Sequence, residues 1–374
     1  MRIAIAGTRG IPANYGGFET FAEELSVRLV QRGHDVTVYG RSNFIRVPER
    51  KYRGVRLVIL PTVRHKYLDT PVHTFLSTIH AIFQKYDVIL YCNSANAMFT
   101  FLPRLFGTRV ALNVDGLEWK RAKWGFLGKT IYRFSEFLAT FLPNCVVTDA
   151  KEIQHYYRKK FNALTTCIPY GAPEKKIKNG ETLQKYGLRK GEYVLYVSRL
   201  EPENNAHVVV KAFEKVKTPY RLVVVGDAPY GEKYIRKVKD TKDPRIIFTG
   251  FIFGEGYAEL QSNAYCYIQA TEVGGTHPAL VEAMGYGNCI LANDVPQHRE
   301  VLGDAGMYFS VREPDDLKEK LQYLLDHPET VHRFRTKVLQ RVREKYSWEK
   351  ICSEYETLFS CLLGLKKDGK NFTG

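Results

Sequence analysis

Short runs of β-branched and aliphatic residues recur along this chain with helical patterns between them, and this alternation constrains the fold more than any other feature. RIAIAG, DVTVYG, VRLVILP, VILYC, RVALNV and CVVTDA occupy the first half; YVLYVSR, YRLVVVGD, RIIFTG, CYIQAT and CILAND occupy the second. Nearly continuous apolar runs belong to strands covered on both faces, hence to parallel sheets. Two such sets predict two doubly wound α/β domains, and 374 residues are too many for one ordinary core. The boundary falls near Ile168–Pro173, where IPYGAP follows a strand and precedes a lysine-rich stretch, giving domains at 1–170 and 171–346. MRIAIAGTRG reads as a first buried strand rather than a signal peptide, and no apolar run approaches a membrane span.

Charge is unevenly placed. The net charge is +15, and 24 Lys+Arg against 12 Asp+Glu in residues 1–170 account for +12 of it. A basic half calls for an anionic partner: nucleic acid, an anionic membrane surface or a phosphorylated substrate. Seven cysteines are scattered singly with no CxxC pair, as expected of reduced thiols in a cytosolic protein.

Ligands of open parallel sheets bind beyond the carboxyl ends of strands, at glycine turns and helix N-termini. Four segments meet that description. GTRGIPANYGGFE follows the first strand, and a helix patterned over Phe18 to Leu29 begins behind Gly16 and Gly17, where free amides favour an anion. Its spacing fits neither a dinucleotide fingerprint nor a P-loop. In YVLYVSRLEPENN, Arg199 ends a strand, and its planar fork suits phosphate. In TEVGGTHPALVEAMGYG, a strand over Tyr265–Ala270 is followed by Gly274 and Gly275. Pro278 then starts a helix that carries Glu282 about one turn in. A diphosphate wants the amides there, and sugar hydroxyls want the carboxylates of Glu272 and Glu282. In LNVDGLEWKRAKW, a strand ends at Asp115, and Lys120, Arg121 and Lys123 then alternate with Trp119 and Trp124. That mixture suits an anionic membrane surface.

Together these segments resemble the retaining GT-B glycosyltransferases of family four, two Rossmann-like domains facing a central cleft. Within that family, TRGIPANYGGFE, NVDGLEWKRAKW, RLEPENN and EVGGTHPALVEAMG look like the bacterial rhamnosyltransferase-type subgroup of surface-polysaccharide synthesis. The resemblance implies that the helix at about 347–364 packs back on the first domain. It also implies donor-site roles. Gly16 and Gly17 lie near the diphosphate, Arg199 neutralises it, and Thr276, His277, Ala279 and Leu280 line it behind Gly275. Phe251 and Ile252 meet the base, Glu282 accepts a ribose hydroxyl, and Glu272 orients the transferred sugar. Tyr15, Glu118, Trp119, Lys120, Arg121, Lys123 and Trp124 fall on the acceptor or membrane side. This chain departs from the pattern in three places. Nine residues rather than seven separate Glu272 from Glu282, Asn204 stands where a lysine is usual, and Asp115 stands where a histidine is usual.

The reading is a glycosyltransferase that moves L-rhamnose from dTDP-L-rhamnose, or another sugar from a UDP- or GDP-sugar, to a lipid-linked saccharide. It would work peripherally on the inner face of the cell membrane. No D-x-D triplet occurs, so neither a metal nor a resident cofactor is expected. A non-hydrolysing sugar-nucleotide epimerase shares the architecture but lacks an acidic pair for proton abstraction. A nucleic-acid-binding protein would explain the basic half, yet no helix-turn-helix, RNP or zinc pattern appears.

Overall fold

Both sets of apolar runs form strands. The computed structural model describes residues 1–365, apart from 15, 47–48, 66, 122–123, 174–176, 178–179, 229–230 and 314. The described chain divides into two compact units. One comprises Met1–Lys120, Trp124–Tyr170 and the segment beginning at Trp348; the other comprises Gly171–Ser347 with the short stretch starting at Arg121.

The sheet of the first unit contains β1 (Arg2–Ala6), β2 (Asp35–Arg41), β3 (Lys51–Tyr52), β4 (Val55–Leu60), β5 (Val88–Cys92), β6 (Arg109–Asn113), β7 (Cys145–Thr148) and β8 (Thr166–Cys167). Its order is β3-β4-β2-β1-β5-β6-β7-β8, parallel except for the short β3–β4 hairpin at the edge. Both faces are covered, which explains the unbroken apolar strands. Ile3 and Ile5 join a cluster with Phe21 and Leu25, while Ala4 and Ala6 join a second cluster with Tyr39 and Ile89. Order reverses between β1 and β5, so the crevice of this unit opens beside Gly7.

The C-terminal helix Trp348–Leu362 belongs to this first core. Tyr355 packs 5.4 Å from Phe21, ring to ring, and Asn113 Nδ2 donates to its hydroxyl at 3.0 Å. Arg32 pairs with Glu349 and Glu356, and His34 Nε2 lies 2.7 Å from Glu356.

The second unit's sheet has β9 (Tyr193–Val197), β10 (Arg221–Val225), β11 (Ile246–Gly250), β12 (Cys266–Gln269), β13 (Cys289–Asn293) and β14 (Met307–Phe309). All pairings among these strands are parallel, in the order β11-β10-β9-β12-β13-β14. This is the doubly wound nucleotide-binding order, with its switch point between β9 and β12. Among the described residues, no helix is long and apolar enough to cross a membrane.

Candidate active site

The loops that follow β9 and β12 meet at the switch point of the second sheet. Gly226 makes the first of them possible. It sits just after β10 at φ +129°, and a Cβ there would lie 1.9 Å from the Ser198 carbonyl oxygen. Arg199 follows, half-buried, with Nη1 3.6 Å from Glu201 Oε1. Pro202 then starts a single 3-10 turn, Pro202–Asn204, and Asn205 adopts the left-handed conformation at φ 56°.

Asn204 is spent on shaping this loop. It is buried, its Nδ2 donates to the Arg199 carbonyl at 2.7 Å, and its own carbonyl accepts from Tyr196 Oη at 2.5 Å. Asparagine in place of lysine therefore removes a charge and adds a tie on the arginine's backbone. Asn205, which the sequence reading passed over, spans the switch point. Its Nδ2 donates to the Ala270 carbonyl at 3.0 Å and to Glu272 Oε2 at 3.1 Å. The Glu272 amide closes the bridge by donating to the Glu203 carbonyl at 3.0 Å. Glu272 is half-buried, and its other oxygen is 3.8 Å from Arg312.

Beyond Glu272, Gly274 and the buried Gly275 lead to the helix Pro278–Gly285, with Pro278 in its first position and His277 as N-cap. Thr276 and Leu280 are buried, and Ala279 is partly exposed. Gly274 is needed for space: a Cβ there would lie 2.4 Å from His277 Cε1. One turn into the helix, Glu282 accepts a hydrogen bond from Tyr257 Oη at 2.6 Å, and Gln261 Nε2 donates to that same oxygen at 2.9 Å. Burial, then the Glu282 charge, pushes the Tyr257 phenol well up, so it stays a donor that orients the carboxylate. Phe251 follows β11, exposed and stacked on Phe253, while Ile252 packs into the core.

His277 is covered from two sides. One is the Gly274 backbone; the other is His298, whose ring centroid is 5.0 Å away. Burial, then His298, Arg121 and Arg199, holds the His277 imidazole well below its usual range. It is therefore neutral and does not replace the charge that lysine would bring. His298 is fully buried. Its Nδ1 lies 2.8 Å from the Asn293 carbonyl, and burial lowers it to about 4. In the first unit His73 behaves alike: its Nε2 is 3.0 Å from the Gly40 carbonyl, and burial and then Arg41 lower it to about 4.

These two imidazoles carry a pH prediction. In the unfolded chain a histidine protonates near 6.5, in the fold only near 4. Between those values the unfolded state binds more protons, so stability is fully present above 6.5 and falls as pH drops. The slope is about 1.4 kcal/mol per pH unit for each group. Urea midpoints measured from pH 7 to 4.5 should decline, and the decline should flatten in His73→Gln. A flat profile in the parent protein would contradict the assignment.

The first unit has its own crevice at the end of β1. Gly7, at φ +88°, lets the chain pass Asn96 and Cys92, where a Cβ would lie 2.5 Å from Asn96 Nδ2 and 2.5 Å from the Cys92 carbonyl oxygen. The following loop is held by the helix Gly17–Gln31. Glu19 Oε1 accepts from the Arg9 amide at 2.9 Å, and Glu23 Oε2 accepts from the Ala13 amide at 2.7 Å. Gly16 is the extended N-cap residue and Gly17 opens the helix, which leaves the first amides of that turn at the crevice. Asp115, beyond β6, is left-handed at φ 57° and accepts from Tyr170 Oη at 3.3 Å.

Glu118 is buried and accepts from Trp124 Nε1 at 3.3 Å. Trp119 is half-buried beneath the Arg133 guanidinium at 4.4 Å, and Trp124 packs on Tyr132 at 5.1 Å. Lys120 is exposed, and Arg121, grouped with the second unit, is 3.5 Å from Glu201. Tyr15 and Lys123 lie outside the described residues. The two tryptophans thus turn inward, whereas their sequence spacing suggested an outward membrane face.

Two sheets of this order, each with a glycine turn and a helix start at its switch point, define an architecture of two doubly wound α/β domains. Residues 15–172 match the family described as Glycosyltransferase Family 4, and residues 179–341 match Glycosyl transferases group 1. The chain belongs to these glycosyltransferases and has the GT-B fold. N-acetyl-alpha-D-glucosaminyl L-malate synthase of Bacillus anthracis is 28% identical over 193 residues, 50% of either protein. O-antigen chain mannosyltransferase B of Escherichia coli is 26% identical over 141 residues, 36% of either protein. The chain thus spans about half or less of the length of these curated relatives. The fold matches sucrose-phosphate synthase from Thermosynechococcus elongatus with a TM-score of 0.82 at 19% identity, over 98% of this chain and 100% of that one. It matches Anabaena HepE, solved in complex with UDP and glucose, with a TM-score of 0.78 at 16% identity, over 96% and 100%.

Proposed function

We propose that the second unit binds the diphosphate of a nucleotide sugar and that the protein transfers the sugar with retention of configuration. The observation that carries this is the meeting of Arg199, the Pro278 helix start and Glu272 at one switch point, tied together through Asn205. As the donor bond breaks, negative charge grows on the phosphate oxygens. A guanidinium and fixed amides stabilise it without reorganising, which is the largest lever available to such a site. Glu282, oriented by Tyr257, accepts a ribose hydroxyl, and Phe251–Ile252 meet the base through backbone atoms. Glu272, fixed by Asn205, receives hydroxyls of the sugar, and Asp115 receives one from the acceptor side. With these charges in place, turnover needs no divalent metal and should survive EDTA.

The best donor is dTDP-L-rhamnose, from the resemblance of the four motifs to the rhamnosyltransferase-type subgroup. The acceptor is a lipid-linked saccharide at the cytoplasmic face of the membrane, in keeping with the basic first half. A UDP-sugar is the second reading, because the structurally similar HepE was solved with UDP and UDP-glucose. Thermal stabilisation by dTDP, UDP, GDP and ADP separates these readings, since a ligand at a hundred times its Kd adds about 2.7 kcal/mol. Stabilisation by dTDP, with transfer from dTDP-rhamnose, is expected. A response to GDP alone would overturn the donor assignment, and no response to any nucleotide would overturn the site.

A further inference from the structure

Two helices of the first unit have inverted polarity. The helix Asp69–Ile82 buries His73, Thr74, Ser77, Thr78 and Ala81. Its outer side carries Phe75 and Ile79, exposed, with Leu68 and Phe83 exposed at its ends. The helix Phe126–Ala139 buries Gly128, Tyr132, Ser135, Glu136 and Ala139. It exposes Leu127, Ile131, Phe134 and Phe137, and Phe126 is 88% exposed. Soluble helices do the reverse.

His73, Thr74, Thr78 and Glu136 among the buried polar groups are bonded, whereas Ser77 Oγ and Ser135 Oγ have no partner among the described residues. Thr74 Oγ1 donates to Asn96 Oδ1 at 2.7 Å, Thr78 Oγ1 and Tyr91 Oη are 2.8 Å apart, and Glu136 accepts from Tyr156 Oη at 2.8 Å. The 3-10 helix Ser94–Phe99 touches both, and the short helix Phe101–Leu105 that follows it packs on the first and adds exposed Phe101, Leu105 and Phe106. Phe75 and Phe99 rings are 6.3 Å apart, and Arg104 Nη1 donates to the Phe141 carbonyl at 3.2 Å, which joins the three helices into one face. Monomeric proteins rarely leave so much contiguous apolar surface uncovered.

Charge identifies what covers it. Arg104, Arg109 and Arg133 are exposed on or beside this face, with Arg64 and Lys120 near its ends in sequence. The acidic residues of the same helices are turned inward: Asp69 pairs with Arg41, and Glu136 is buried beside Lys160. A second copy docked face to face would set these arginines against themselves. A bilayer supplies both complements, an apolar interior and anionic head groups.

We propose that this face seats the protein on an anionic phospholipid surface, with its phenylalanines and leucines entering the acyl boundary and its arginines held at the phosphates. The inference deepens the membrane reading proposed above and moves it from Glu118–Trp124 to these three helices. Its test needs neither sugar nor nucleotide. The full chain is sedimented with vesicles of phosphatidylcholine alone or mixed with phosphatidylglycerol. Binding to the mixed vesicles, weakened by salt, is expected. The triple variant Phe126→Ser, Leu127→Ser, Phe134→Ser should bind at least about tenfold more weakly. Arg104→Glu with Arg133→Glu should lose about tenfold or more on the mixed vesicles only. All five side chains are exposed, and unchanged urea midpoints in the same variants show that they fold. Equal binding to both vesicle types, or unaltered binding by the triple variant, would overturn the proposal. So would a dimer in sedimentation that the triple variant dissociates, since that gives the face to a second copy.

Discussion

Arg199→Ala is expected to slow sugar transfer by about 2–4 kcal/mol in barrier, roughly 30- to 1000-fold in kcat, with a smaller change in KM. The expectation rests on where the guanidinium stands. It follows β9 at the switch point, and its backbone carbonyl is tied by Asn204 Nδ2 at 2.7 Å. Its charge is partly engaged by Glu201 at 3.6 Å, a distance that leaves a bidentate partner still to be gained. A diphosphate supplies that partner, most strongly as the bond to the sugar breaks. Positions 204 and 277 supply no replacement, because the first holds a buried asparagine and His277 is neutral. Folding should be spared, since Glu201 keeps a second cation, Arg121 at 3.5 Å, when Arg199 is removed. Arg199→Lys should recover part of the rate, because it restores charge without the planar fork. Steady-state kinetics with unchanged urea midpoints would check this; a kcat within twofold of the parent would remove Arg199 from the leaving-group role.

Much of this arrangement is legible in the sequence because its causes are local. Apolar runs of strand length, broken by helical periods, determine two parallel sheets, and both sheets are found with the doubly wound order. The proline after two glycines marks the helix start at Pro278, where the structure has it. What stays illegible depends on partners distant along the chain. Nothing near Asn205 shows that its amide reaches Ala270 and Glu272, 65 and 67 residues on. The left-handed conformation at Asn205 was a usable signal, since asparagine before a helix often adopts it. The membrane-facing stretch shows the opposite difficulty. Tryptophans alternating with lysines read as an exposed interface, but Arg133 and Tyr132, one element later, cover both rings. The exposed apolar face lies on helices whose periodicity looks ordinary, because a helical pattern does not say which side is outside.

Gly226→Ala is expected to destabilise the second unit by about 2–5 kcal/mol and to weaken nucleotide binding with it. Two costs add. A backbone at φ +129° is costly for any residue with a Cβ, by about 1–2 kcal/mol. The new methyl would also stand 1.9 Å from the Ser198 carbonyl oxygen and 2.9 Å from its carbon. Those are backbone atoms, so relief requires moving a strand end, at about 1–3 kcal/mol. Movement is resisted from both sides, because the Ser198 amide donates to the Val225 carbonyl at 3.0 Å and the Gly226 amide to the Gly250 carbonyl at 2.8 Å. Gly250→Ala is the matched control. It has φ +69°, but a Cβ there meets nothing within 4 Å, so only the conformational cost of about 1 kcal/mol applies. Whatever shift Gly226→Ala forces passes directly into Ser198 and Arg199, so the nucleotide that stabilises the parent protein should stabilise this variant less. Urea midpoints of both variants, with and without nucleotide, measure the two effects. Equal destabilisation by the two alanines would mean that the approach of Gly226 to Ser198 is not what requires glycine there.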